Sequence, residues 1–220
     1  MTAPTIDYSF PHRWQAEVLA ARPAILPARH FVYPRQAEEV ERGALEVMIR
    51  PGAPDTVRRC GETSETAPTP GAPGLASETW DRFLATCALG FRDPVVPTGI
   101  WSAPRPEETC VVSGGYAYII DTTAPERFTM IAYRPVLEVR PAVAEGVLLF
   151  VGNRSILAWG RGGQAWESEI LSDEGVTITG IEAGILHGLG WELRTDKETP
   201  FALEMRTGLR FPSAGVSARY

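Results

Sequence analysis

Two glutamates near the end of a β-prone segment have the spacing of a catalytic carboxylate pair. Glu167 and Glu169 are separated by one residue, and Asp173 and Glu174 follow closely. On a β-strand, residues two apart point to the same face, so both carboxylates would face one cleft. Glycoside hydrolysis uses such a pair, with one carboxylic acid kept protonated by a raised pKa. An ordinary solvated strand face has the same pattern, and we favour that interpretation.

The histidine with the most suggestive surroundings is His187, in the glycine-rich segment GILHGLGWEL. Its small neighbours allow close backbone approach. As a general base it would need a carboxylate to orient the ring, and Glu192 or Asp196 could serve. Ser155 or Ser172 could act as nucleophile, but neither lies in a G-x-S-x-G motif. We therefore predict a structural, hydrogen-bonded histidine and keep catalysis as the alternative.

Four of the six tryptophans lie in the β-rich half of the chain, at Trp101, Trp159, Trp166 and Trp191. Aromatic rings on a sheet face form sugar-stacking platforms and protein-interface anchors. They also fill the cores of packed sheets. We predict that Trp166 is a core residue, and we name Trp101, Trp159 and Trp191 as candidate binding residues.

The cysteines and histidines form no recognisable metal motif. Three cysteines cannot all pair, and Cys60, Cys87 and Cys110 do not have metal-ligand spacing. Cys87 and Cys110 have apolar neighbours typical of core residues. We expect no metal and no cofactor, and a reducing compartment is the simplest location.

The charge pattern excludes some classes of partner. The formal net charge is −6, and Lys197 is the only lysine, so the cations are scattered arginines. Nucleic acids and anionic membranes require a concentrated basic surface, so we expect neither as a partner. No apolar run is long enough to span a bilayer, and the N-terminus lacks a secretion signal. We expect a cytoplasmic protein of a bacterium with a GC-rich genome.

The elements that would position these residues are mostly β-strands. Residues 146–171 contain three short β-prone runs, 147–151, 155–159 and 164–171, separated by Gly/Asn turns. This pattern predicts an antiparallel meander. From Gly99 onward the remaining predicted strands cover residues 100–103, 110–113, 116–121, 128–133 and 136–140.

The N-terminal part is predicted to be mixed. Residues 12–22 have helical spacing, with Ser9 as N-cap, and residues 44–49 are predicted as a strand. Residues 51–76 are rich in Pro, Gly, Thr and Glu, which predicts a flexible loop or linker, or else a lid over a site. Residues 78–88 are predicted as a second helix, with a buried strand as the alternative.

A weak internal repeat runs through the second half of the chain. Segments starting at Gly115, Gly146 and Gly184 each begin with glycine followed by an apolar or aromatic run. The third continues to Ala202, then an acid at Glu204, then Thr-Gly at residues 207–208.

These features resemble the blade repeat of quinoprotein-type β-propellers, in which a strand ends Ala-x-Asp, turns at Thr-Gly and re-enters with a Trp. The second segment departs from the pattern, since Gly160 stands where the acid should be. The resemblance covers about the last half of the chain and concerns strand and turn chemistry. It implies no pyrroloquinoline quinone site, and a closed propeller needs at least four blades.

Together these observations predict a mainly β protein of antiparallel meander sheets, forming a sandwich, open barrel or partial propeller-like array, with one or two short N-terminal helices. The expected organisation is residues 1–50 packed on the main domain, a loop at 51–76, and a β-meander domain at 77–220.

For function we predict a non-enzymatic binding protein that uses a Trp-rich sheet surface, with a protein partner or a second copy of itself, as a homodimer. A small-molecule or sugar ligand is not excluded. One alternative is a small glycosidase-like hydrolase that uses Glu167, Glu169 and His187. Another is an inhibitor or immunity-type protein.

Overall fold

The computed structural model describes residues 3–35, 42–52 and 82–211, and every regular element in them is a β-strand. The strands are β1 (Thr5–Asp7), β2 (Trp14–Val18), β3 (His30–Tyr33), β4 (Ala44–Pro51), β5 (Phe83–Ala88), β6 (Gly99–Ser102), β7 (Glu108–Ser113), β8 (Tyr116–Asp121), β9 (Phe128–Met130), β10 (Glu138–Ala142), β11 (Val147–Val151), β12 (Ile156–Gly160), β13 (Gly163–Glu167), β14 (Val176–Glu182), β15 (Ile185–Glu192) and β16 (Lys197–Glu204).

The strands form four sheets. The N-terminal sheet has the order β2-β4-β5-β3, and the second sheet has the order β1-β6-β7-β8-β9. The third sheet is the meander β10-β11-β12-β13, and the C-terminal sheet is the meander β14-β15-β16. The pairings are antiparallel except β1 with β6 and β3 with β5. None of these four sheets closes into a barrel in the described part of the chain.

Three hydrophobic cores join the sheets into one stack. The first contains residues of the N-terminal and second sheets, and the second contains residues of the second and third sheets. The third core contains residues of the third and C-terminal sheets. The order of the layers is therefore N-terminal, second, third, C-terminal.

The central strands of the two inner sheets are buried on both faces. In β8, Tyr118 belongs to the first core and Ile119 to the second, because neighbouring residues of a strand point to opposite faces. In β11, Leu148 faces the second sheet and Leu149 faces the C-terminal sheet. This double burial explains why residues 147–151 are a continuous apolar run rather than an alternating one.

The prediction of antiparallel meander strands is confirmed. The predicted runs at 147–151 and 116–121 coincide with β11 and β8, and the predicted strand at 44–49 lies inside β4. The predicted run at 164–171 is shorter in the structure, because β13 ends at Glu167.

The first predicted helix is wrong. Residues 12–22 contain strand β2, in which Trp14 is buried, Glu17 is exposed and Val18 is half-buried. A spacing of four residues places two side chains on one face in both a helix and a strand, so it could not decide between them. β2 pairs with β4 along its whole length, and this pairing satisfies the backbone of a segment that would make only a short helix.

The second predicted helix is wrong within its described part, and the alternative of a buried strand is correct. β5 lies between β4 and β3, pairs with both, and is buried at all six positions. Residues 78–81 lie outside the described residues. The predicted loop at 51–76 begins with Pro51, which ends β4, and its residues 53–76 lie outside the described part as well.

The predicted repeat corresponds to three turns with the same backbone conformation. Gly115, Gly146 and Gly184 have φ values of 76°, 69° and 77°, in the region that favours glycine. Gly146 and Gly184 precede the second strand of their meanders, whereas Gly115 precedes β8, the third strand of the run β6 to β9. The glycines therefore share a turn conformation, but Gly115 does not occupy the equivalent position in its sheet.

Candidate functional site

The outer face of the C-terminal sheet carries exposed or half-buried side chains from all three of its strands. We call this surface the C-terminal face. Its residues, from alternation and register, are Thr177, Gly180, Glu182, Ile185, His187, Leu189, Trp191, Glu198, Pro200, Ala202 and Glu204. The opposite side of the same strands packs into the third core.

The centre of the C-terminal face is apolar around one exposed histidine. His187 is paired with Gly180 on one side and Ala202 on the other, so small neighbours leave its ring exposed. Leu189 pairs with Pro200 and is half-buried. A flat apolar patch with a polar rim is typical of an interaction surface.

The rim of the C-terminal face is acidic. Glu182 lies at one end of β14, and Glu198 and Glu204 lie along β16. Among the described residues of these three strands, no lysine or arginine is on this face. The uncompensated carboxylates give the surface a negative potential.

Trp191 is held in place through its backbone. Its N–H donates to the Ser172 hydroxyl at 2.8 Å, and its carbonyl accepts from the Asp173 N–H at 2.8 Å. Gly190 lies directly against the Leu171 carbonyl, so a larger residue there would displace this loop. The half-buried indole therefore projects from a fixed backbone position, as an interface anchor requires.

The three residues named for hydrolysis have different neighbours. Glu167 accepts a hydrogen bond from Tyr133 at 3.0 Å, whereas Glu169 lies 3.5 Å from Arg210. β13 ends at Glu167, so the strand alternation that would align the two carboxylates does not reach Glu169. His187 lies on the outer face of another sheet, and no described hydrogen bond joins it to Asp196.

The tryptophans divide between cores and surface. Trp101 and Trp159 lie in the second core, 4% and 7% exposed, so their rings face other sheets rather than solvent. Trp191 is the one of the three candidate binding tryptophans that lies on an outer face. Trp166 is in the third core, where its indole N–H donates to the Met205 carbonyl at 2.7 Å, and its predicted core position is confirmed.

Glu108 is a buried carboxylate that joins three sheets. Its backbone carbonyl accepts from the Trp14 indole at 3.0 Å, and its carboxylate accepts from the Trp159 indole at 3.0 Å. Burial raises the pKa of Glu108, and this outweighs the lowering by Trp159 and by Arg105. The sequence shows only a Glu-Glu pair at a strand start, and nothing in it indicates two distant tryptophan partners.

The cross-strand partner of Glu108 is a carboxylate whose pKa is shifted in the opposite direction. Asp121 is opposite Glu108 in the register of β7 and β8. Burial would raise the pKa of Asp121, but hydrogen bonds from Thr123, together with Arg127 at 2.8 Å, bring it below its ordinary value. Both carboxylates are hydrogen-bonded or ion-paired to neighbouring protein groups, which indicates a structural role.

A second buried polar chain lies in the N-terminal sheet. Thr86 donates to the Glu46 carboxylate at 2.6 Å and accepts from His30 Nε2 at 2.8 Å. Burial and then Arg22 lower the pKa of His30, against a smaller raising effect of Glu46. Thr86 is fully buried, so this chain holds strands together and offers no accessible nucleophile.

A small cavity lies at the junction of the second and third sheets. It has a volume of about 180 Å³ and is lined by residues 133–135 and 152–155. The Tyr133 hydroxyl lies 2.8 Å from the Ser155 hydroxyl and 3.0 Å from the Glu167 carboxylate. Tyr133 therefore links the cavity to Glu167.

The cysteines that the structure describes are structural. Cys87 and Cys110 are fully buried and free, and burial raises the pKa of both thiols. Cys60 lies outside the described residues. Within residues 3–35, 42–52 and 82–211, no cluster of three His, Cys, Asp or Glu residues could hold a metal ion, and no helix has the length and apolar character needed to cross a bilayer.

The fold and the C-terminal face define a class, a stack of four β-sheets that presents one acidic, aromatic outer face. Compared with known proteins, the chain matches no protein-family model and no curated protein.

Proposed function

We propose that this protein is a non-enzymatic binding protein that holds a cationic protein partner on its C-terminal face. The observation that supports this most is the combination of a fixed, half-buried Trp191 with a rim of three glutamates. Anchoring aromatic residues supply much of the affinity of an interface, and complementary charge supplies specificity and association rate.

The charge of the C-terminal face favours a different protein over a second copy. Two copies joined through this face would bring Glu182, Glu198 and Glu204 of each copy against those of the other. Like charges across an interface oppose association. A partner with arginine or lysine around an apolar centre would be complementary. An inhibitor or immunity-type protein is the special case in which that partner is a single cationic enzyme.

The proposed function requires no catalysis by the residues named for hydrolysis, although His187 lies on the C-terminal face. Glu167, Glu169 and His187 have separate neighbours and lie on different elements. General acid–base catalysis requires such groups to reach one reacting centre within hydrogen-bond distance.

Site-specific crosslinking tests the proposal. A photoreactive phenylalanine analogue at Thr177, an exposed position on the C-terminal face, should yield one crosslinked product in extract of the source cells. The product should be lost with Trp191→Ala, which removes the anchor, and with Glu198→Lys, which reverses part of the rim charge.

The matched control is Ile25→Ala, since Ile25 is 89% exposed and lies in the N-terminal part of the chain. It should leave the product unchanged. A product with twice the mass of the chain would assign the face to a homodimer and contradict the proposal. A product insensitive to both Trp191→Ala and Glu198→Lys would also contradict it.

A further inference from the structure

The cavity at the junction of the second and third sheets has a basic mouth in an acidic protein. Arg134 and Arg154 line it and are both exposed. Arg134 lies over the Tyr116 ring at 5.3 Å, and its Nη2 donates to Met130 Sδ at 3.1 Å. No carboxylate among the described residues lies at ion-pair distance from it. Arg154 lies 3.9 Å from Asp173, at the limit of an ion pair. Both guanidinium groups therefore retain donors for an anion.

The interior of the cavity carries a directed chain of hydroxyl groups. The Tyr133 hydroxyl donates to the Glu167 carboxylate at 3.0 Å. Tyr133 has one proton to donate, so the Ser155 hydroxyl, 2.8 Å away, must donate to the Tyr133 oxygen. The Ser155 oxygen then keeps lone pairs for a donor in the cavity. Burial raises the pKa of Tyr133, so its phenol stays neutral and adds no negative charge.

The wall of the cavity is fixed before any ligand arrives. The Asn153 carbonyl accepts from the Gly175 N–H at 2.8 Å, and the Arg154 carbonyl accepts from the Leu171 N–H at 2.7 Å. A Cβ atom at Gly152 would lie 3.0 Å from the Tyr133 ring, so the ring packs closely on the backbone. A preorganised wall reduces the entropic cost of binding.

We propose that this cavity binds a small hydroxy- or amino-carboxylate, with Arg134 and Arg154 holding the carboxylate and the Ser155 oxygen accepting from the hydroxyl or ammonium group. A volume of about 180 Å³ equals that of about six water molecules and suits a molecule the size of lactate or serine. The site uses residues separate from the C-terminal face, so the two proposals succeed or fail independently.

Calorimetric titration of the full-length protein with L-lactate and L-serine tests the site. At least one of them should bind saturably. Lactamide has the same shape without the charge, and it should bind at least about tenfold more weakly, because charge-assisted hydrogen bonds are lost. Arg134→Gln and Arg154→Gln should each weaken binding by at least about tenfold for the same reason.

Two controls keep the test specific. Arg161→Gln changes an exposed arginine in the turn between β12 and β13 and should leave affinity unchanged. Ser155→Ala should weaken L-lactate more than propionate, which lacks the hydroxyl. The comparison of lactate with lactamide uses the unmodified protein and does not depend on any variant folding. Failure of both acids to bind, equal binding of lactamide, or binding unaffected by loss of both arginines would overturn the proposal.

Discussion

At the scale of single residues, the structure separates tryptophans that stabilise from one that is presented to solvent. Trp166 is 7% exposed in the third core and hydrogen-bonded to Met205. We expect Trp166→Ala to lower the free energy of unfolding by about 3–5 kcal/mol, as for other buried large aromatic residues. Trp191→Ala, at a half-buried position, should cost clearly less. Urea denaturation of both variants measures the difference, and equal midpoints would contradict the assignment.

Glu108 and Asp121 should influence the pH dependence of stability in opposite directions. The folded pKa of Glu108 is raised, so the folded state holds the proton more strongly, and stability falls as pH rises from the unfolded value through the folded one. The folded pKa of Asp121 is lowered, so its contribution is present above the unfolded value and is lost as pH falls through the folded one.

Denaturant titrations at about pH 3 and about pH 8 therefore test both residues, because about pH 3 lies below the ordinary pKa of both carboxylates. Glu108→Gln keeps an oxygen acceptor for Trp159, and its stability relative to the unmodified protein should increase toward the higher pH. Asp121→Asn should lose more stability at pH above the ordinary aspartate value than below it. If the two variants shift in the same direction with pH, the assignment of the two pKa values is wrong.

Sequence reasoning at the residue scale could identify residues whose environment is local. The core position of Trp166 follows from its place after a glycine turn. The partners of Glu108 and Tyr133 could not be predicted, because Trp159 and Glu167 are 51 and 34 residues away. The end of β13 at Glu167, before Glu169, could not be predicted either, because strand ends depend on tertiary contacts.

At the scale of elements, glycine and asparagine turns between apolar runs were sufficient to predict the meanders. The two predicted helices failed for a common reason. Trp14 and Val18, and likewise Leu84 and Ala88, are four residues apart, which suits either periodicity. Residues 14–18 form a strand because they pair with β4, and residues 83–88 form a strand because they pair with both β3 and β4.

The turn after β16 packs against Trp166 of the third sheet, and its glycine can be tested by substitution. Gly208 has φ of 72°, and a Cβ atom there would lie 2.5 Å from the Trp166 ring. Gly208→Ala should therefore cost at least about 1 kcal/mol from the left-handed backbone alone. Gly162→Ala, in an open turn with no atom within 4 Å of the added Cβ, should cost less. Equal midpoints in urea would show that the turn does not need its glycine.

At the scale of the whole molecule, the order of the sheets determines which surfaces are available. The central strands of the two inner sheets are covered on both faces, and β5 of the N-terminal sheet is buried at all six positions, whereas the C-terminal sheet has an exposed outer face. This order could not be predicted from the sequence, because a run such as residues 147–151 shows double burial without showing which sheet covers each face. The C-terminal sheet packs against one other sheet, so its opposite face stays exposed and forms the acidic, aromatic surface.

The most direct test of the central claim is the affinity between the purified protein and the partner captured by crosslinking. We predict that affinity falls as salt rises from about 50 mM to about 500 mM, because the rim charges are screened. Trp191→Ala should weaken binding by about 30-fold, as for an interface hot spot, and Glu198→Lys should weaken it most at low salt. An affinity independent of both salt and Trp191 would contradict the proposal that this face holds a cationic partner.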